Sequence, residues 1–80
     1  MVQQGEARNM ERKKVVSSNL RSIGYDASTK TLEVEFVDGG IYQYADVSAQ
    51  VYAELMAATS HGSYFDAKIK KGGYRFTKMS

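Results

Sequence analysis

The sequence predicts an α+β domain: a three-stranded antiparallel meander packed against one main helix, with a short second C-terminal helix, in the order β-β-β-α-α. Three observations carry this. Leu32, Val34 and Phe36 alternate with Glu33, Glu35 and Val37, the period of a half-buried strand. Asp38-Gly39-Gly40 then supplies tight-turn chemistry before Tyr42 and Tyr44 resume the alternation with Ile41 and Gln43, as in a β-hairpin. From Val51 onward the apolar spacing moves toward about 3.6, the period of an amphipathic helix.

Residues 1–14, MVQQGEARNMERKK, follow neither period and read as a disordered basic arm ahead of a single domain over residues 15–78. In the first strand Ile23 and Tyr25 share one parity and Leu20 has the other, so burying all three requires a bulge near Arg21-Ser22. Asp26 to Lys30 is a polar loop leading into the strand at Thr31. A three-residue loop Asp38-Gly39-Gly40, with Gly40 left-handed, sets Phe36 opposite Tyr42 and Val34 opposite Tyr44 on the buried side. A two-residue Gly39-Gly40 loop would instead place both tyrosines beside Glu33 and Glu35, because a one-residue slip exchanges the faces. Tyr42 and Tyr44 are therefore expected under the helix, as core residues.

Asp46 or Ser48 caps that helix, whose stripe is Val51, Leu55 and Ala58 with Tyr52 and Met56 alongside. It ends by Ser60-His61-Gly62, with Gly62 as a left-handed cap. Ser63 with Asp66 three residues later has the form of a second helix start, followed by Phe65 and Ile69; Gly72-Gly73 stops it. Tyr74, Arg75 and Phe76 form an extended tail whose rings fold back on the body.

Composition narrows the chemistry. Eighty residues with no cysteine and one histidine leave neither a disulfide nor a structural zinc site to stabilise the core. No run of eighteen apolar residues and no signal-type leader are present, which predicts a soluble, cytoplasmic protein. Ser60, His61 and Asp66 contain the residue types of a hydrolytic triad, but adjacency in sequence does not supply its geometry. With no Gly-rich phosphate loop or metal-ligand cluster either, the expectation is a non-enzymatic module without cofactor or metal.

Charge is unevenly distributed. Residues 16–65 carry Arg21 and Lys30 against Asp26, Glu33, Glu35, Asp38, Asp46 and Glu54, a balance of −4, whereas residues 66–80 carry Lys68, Lys70, Lys71, Arg75 and Lys78 against Asp66, a balance of +4. In that C-terminal segment the cations interleave with Tyr74 and Phe76. Lysine and arginine neutralise phosphates and aromatic rings stack on bases, so these seven residues are the candidate nucleic-acid contacts.

The order Ser17-Ser18-Asn19-Leu20, Ile23-Gly24-Tyr25-Asp26, Leu32-x-Val34-x-Phe36, Tyr42-x-Tyr44, Val51-Tyr52, Leu55, Ser60-x-Gly62-Ser63-Tyr64-Phe65, Ile69 and Tyr74 resembles the KTSC domain. That family occurs at the C-terminus of some lysyl-tRNA synthetases and as small stand-alone proteins of bacteria and phages. The resemblance spans Val16 to Phe76. It departs from the family pattern at Ser48, where proline is usual, at Asp66, where asparagine is common, and at Lys70, where arginine is common. The family has no established activity, and its attachment to synthetases implies RNA, tRNA in particular, as the expected partner. The alternative is a protein-interaction or homodimerisation module that uses a free sheet edge, the strand of residues 16–25 or that of residues 41–45.

Overall fold

The computed structural model describes residues 11–80. An antiparallel sheet is built from β1 (Arg12–Lys14), β2 (Leu20–Asp26), β3 (Thr31–Phe36), β4 (Ile41–Tyr44) and β5 (Phe76–Lys78), which lie side by side in chain order. Between β4 and β5 the chain forms α1 (Ala49–Ala57) and α2 (His61–Tyr64), which runs on as a π-helical segment, Phe65–Lys70. The class is α+β as expected. The sheet has five strands among the described residues, not three, because a short strand adds at each edge. One correction falls on the N-terminal arm. Residues 1–10 lie outside the described residues, but Arg12–Lys14 are not disordered: they pair with Ser22 to Gly24 of β2.

Side-chain parity fixes the core. Leu20, Ile23, Leu32, Val34 and Tyr44 from the strands meet Val47, Leu55, Phe65 and Ile69 on one face of the sheet, all buried. Each such residue contributes about 1.5 to 3 kcal/mol by leaving water. Leu20 joins Ile23 on that face because the β2–β3 register shifts between Leu20 and Ser22, the bulge its parity requires. The tyrosines of β4 lie on the same face, with Tyr42 opposite Val34 and Tyr44 opposite Leu32.

The hairpin loop is three residues long, but it comprises Val37, Asp38 and Gly39. Gly39 N–H donates to the Phe36 carbonyl at 2.9 Å, and Gly39, not Gly40, takes the left-handed conformation with φ 99°. Asp38 explains the shift. Its Oδ1 accepts the Gly40 N–H at 2.9 Å, which holds Asp38 as the second loop residue and moves the pairing by two positions without exchanging faces.

Ser48 caps α1, its hydroxyl accepting from Val51 N–H at 3.2 Å, while Asp46 sits at a positive φ of 60° in the preceding turn. The second helix starts three residues earlier than expected. Ser60, not Ser63, is its cap, accepting from Ser63 N–H at 3.2 Å, so Gly62 lies inside α2 and not at a left-handed helix end. His61 ties the two helices together by donating from Nδ1 to the Leu55 carbonyl at 2.9 Å.

The opposite face of the sheet carries a polar network. Glu33 is only 5% exposed, and both of its carboxylate oxygens are occupied: one by Arg12 Nη1, the other by Gln43 Nε2 at 2.8 Å. Arg12 Nε also donates to Ser22 Oγ at 3.0 Å, and Ser22 donates to Glu35 Oε1 at 2.8 Å. Gly24 makes this possible. A Cβ there would stand 2.6 Å from the Glu11 carbonyl oxygen and 2.9 Å from Arg12 Cγ, so only glycine lets β1 lie close enough for Arg12 to cross to Glu33. Replacing Gly24 with alanine is expected to lower stability by about 1 to 3 kcal/mol through overpacking. A reduced midpoint in urea denaturation, with faster amide exchange in β1, checks this.

Candidate functional site

Five aromatic rings close into a circuit on the helix side of the sheet. Phe36 meets Tyr42 edge-on at 5.5 Å, Tyr42 meets Phe76 at 5.9 Å, Phe76 meets Tyr44 at 5.6 Å, Tyr44 meets Phe65 at 5.4 Å, and Phe65 returns to Phe36 at 5.4 Å. These separations are those of favourable edge and offset ring pairs. The circuit runs from the core to the surface: Tyr44 and Phe65 are buried, Phe36 and Tyr42 are half-buried, and Phe76 is 57% exposed. Burial pushes the Tyr44 phenol above its ordinary pKa, with Tyr42 adding to the rise, so it stays a neutral hydroxyl.

Over the exposed half of this circuit opens a cavity of about 720 Å³, bounded by Phe36, Tyr42 and Phe76, by Lys70 and Lys78, and by the Asp38-Gly39-Gly40 turn. Local structure explains how the cations arrive there. Lys70 ends the π-helical segment, whose wide turn is closed by Lys71 N–H donating to the Asp66 carbonyl five residues back at 3.2 Å. Lys78 stands opposite Tyr42 in the β4–β5 register, and Phe76 opposite Tyr44. An open apolar floor with convergent charged groups at its rim is the general form of a ligand site.

The seven C-terminal residues marked out by the sequence do not act as one patch. Lys70, Phe76 and Lys78 converge on the large cavity. Tyr74 is half-buried against the core and, with Arg75, lines a separate cavity of about 400 Å³ beside Asp46. Lys71 pairs with Asp66 at 3.4 Å, an exposed ion pair of small energetic weight. Lys68 lies near Glu54, whose carboxyl is held below its usual pKa by hydrogen bonds from Tyr64 and Gln50 and, less strongly, by the Lys68 charge. The same bond to Glu54 raises the Tyr64 phenol to about 12. Sequence reasoning does not mark out the rest of the lining: it reads Phe36 and Tyr42 as core and Asp38, Gly39 and Gly40 as turn, although their adjacency around one hairpin is the available signal.

Ser60, His61 and Asp66 are not brought together. Ser60 Oγ bonds Ser63, and the His61 Nδ1 proton is held by Leu55, so the three share no hydrogen bond among the described residues. Among the described residues no three metal-ligating side chains of His, Cys, Asp or Glu gather, and no helix is long and apolar enough to cross a membrane.

Comparison with known proteins agrees with this architecture. The KTSC domain family model matches residues 16–74. An uncharacterised protein of Stutzerimonas stutzeri is 40% identical over 70 residues, covering 88% of this chain and 99% of that one. A lysine–tRNA ligase of Nostoc punctiforme is 35% identical over 63 residues, which cover 79% of this chain and 11% of the ligase. The crystal structure of a KTSC domain protein from Yersinia pestis superposes with a TM-score of 0.83 at 39% identity, covering 89% of this chain and 99% of the other. A match of this extent in both sequence and fold places the chain in the KTSC domain family.

Proposed function

We propose that the chain is a non-enzymatic module that binds single-stranded RNA, tRNA ends or loops included, through the aromatic cavity between Lys70 and Lys78. The observation that carries this reading is Phe76, an exposed ring braced by Tyr42 and Tyr44 that lines one cavity together with Lys70 and Lys78. A base stacks on such a ring while the lysines neutralise the flanking phosphates. The related segment of lysine–tRNA ligases adds a tRNA context to this chemistry. Binding through a sheet edge has less support. The strands of residues 16–25 and 41–45, the expected free edges, are covered by β1 and β5 respectively, and the outer strands are three residues long and carry Lys13, Lys14 and Lys78, a composition that discourages edge pairing.

Fluorescence anisotropy with a labelled single-stranded RNA tests the reading. Two phosphate contacts predict a log–log salt slope of about −1.4, which the double change Lys70→Glu and Lys78→Glu should flatten. Phe76→Ala should weaken binding by about 1 to 3 kcal/mol, the value of one stacked base. Affinity indifferent to salt and to all three changes would refute it.

A further inference from the structure

Gly39 needs to be glycine, with its φ of 99°, but the neighbouring Gly40 has no positive φ to demand it. What Gly40 supplies is close approach. A Cβ there would lie 3.3 Å from Asp38 Oδ1 and 3.4 Å from Tyr42 Cε1, so the missing side chain lets a carboxylate and a ring edge come together in the cavity wall. The carboxylate is fixed in place, since Oδ1 accepts the Gly40 N–H at 2.9 Å. One lone pair of Oδ1 is thereby used; its second lone pair and all of Oδ2 accept no other hydrogen bond among the described residues.

A carboxylate only accepts, so it selects by the donors a base can offer. Adenine and cytosine each present one exocyclic amine beside a ring nitrogen that is itself an acceptor and faces the negative charge. Uracil presents one ring N–H flanked by two carbonyls. Guanine alone presents two adjacent donors, N1–H and the N2 amine, matched to two carboxylate oxygens, with O6 next to them for an ammonium group. Lys70 and Lys78 border the same cavity.

The geometry points to guanine as the base this cavity reads: stacked on the exposed ring of Phe76 and donating N1–H and N2–H to Asp38. The inference rests on the RNA reading above and specifies its base. It is tested on the full chain with labelled RNA hexamers AAGAAA, AAAAAA and the inosine analogue of the first, which lacks only the N2 amine. AAGAAA should bind about 5- to 150-fold more tightly than AAAAAA, the range for a bidentate base contact, and inosine should forfeit several-fold of that gain. Asp38→Asn keeps an oxygen for the Gly40 N–H and replaces the other acceptor with a donor, so the turn is retained and the preference for guanosine over inosine should vanish. Equal binding of the guanosine and inosine hexamers by the unmodified chain, or a preference that survives Asp38→Asn, overturns the guanine assignment and leaves RNA binding standing. Failure of every hexamer to bind overturns both.

Discussion

Replacing Phe65 with alanine is expected to remove about 3 to 5 kcal/mol of stability, the range for truncating a buried aromatic residue. Phe65 is 3% exposed and is the one helix residue in the aromatic circuit, meeting Phe36 and Tyr44 edge-on at 5.4 Å each. Its loss therefore opens a void against a sheet that cannot collapse into it, and removes two ring pairs worth about 0.5 to 1.5 kcal/mol apiece beyond their buried area. A domain of this size has about 4 to 12 kcal/mol in total, so the variant sits at the margin of folding. Urea denaturation reads the effect, and a loss below about 1 kcal/mol would show that Phe65 does not hold the helical layer to the sheet. Phe76→Ala is the contrast, because an edge ring 57% exposed leaves little void and should change the midpoint only slightly.

The second large effect lies on the opposite face. Arg12→Ala is expected to destabilise by about 2 to 3 kcal/mol, since it strands the Glu33 carboxylate among groups that exclude water. The value falls below that of a fully enclosed pair because the Arg12 side chain is 26% exposed, whereas that of Glu33 is 7% exposed. Adding Glu33→Gln to Arg12→Ala should recover part of the loss, because a neutral amide is less costly to bury than an unpaired charge. A double-mutant cycle in urea measures the coupling, and strictly additive losses would mean that the two groups act independently.

The central meander was legible because its residues alternate cleanly. Parity alone dictated the bulge that brings Leu20 beside Ile23, and it placed Tyr42 and Tyr44 on the helix side. The outer strands were not legible for the converse reason. Arg12–Lys14 and Phe76–Lys78 are three residues each and mostly exposed, so no periodic contrast exists to detect, and what holds β1 is a side-chain network reaching Glu33. The hairpin shift turned on Asp38: two consecutive glycines made either one eligible for the left-handed position, and a side-chain hydrogen bond decided between them. For the second helix, Ser60 and Ser63 are equally good capping residues in composition, and the link from His61 to Leu55 fixes the earlier start. The cavity followed the same rule. Lys70, Phe76 and Lys78 were visible as residue types, but their separation from Lys68, Lys71 and Arg75 depends on the π-helical turn and on β5 docking beside β4.

That docking has a kinetic side. Strands β1 to β4 follow one another through short connections, whereas β5 waits for both helices to be placed before it meets β4. Contacts between nearby residues form early, so β5 is expected to pair late, and its exposure along its whole length favours fraying. Unzipping of β5 alone would carry Phe76 and Lys78 out of the cavity wall while the interior stays folded, so the shape of that wall is tied to the weakest seam of the sheet.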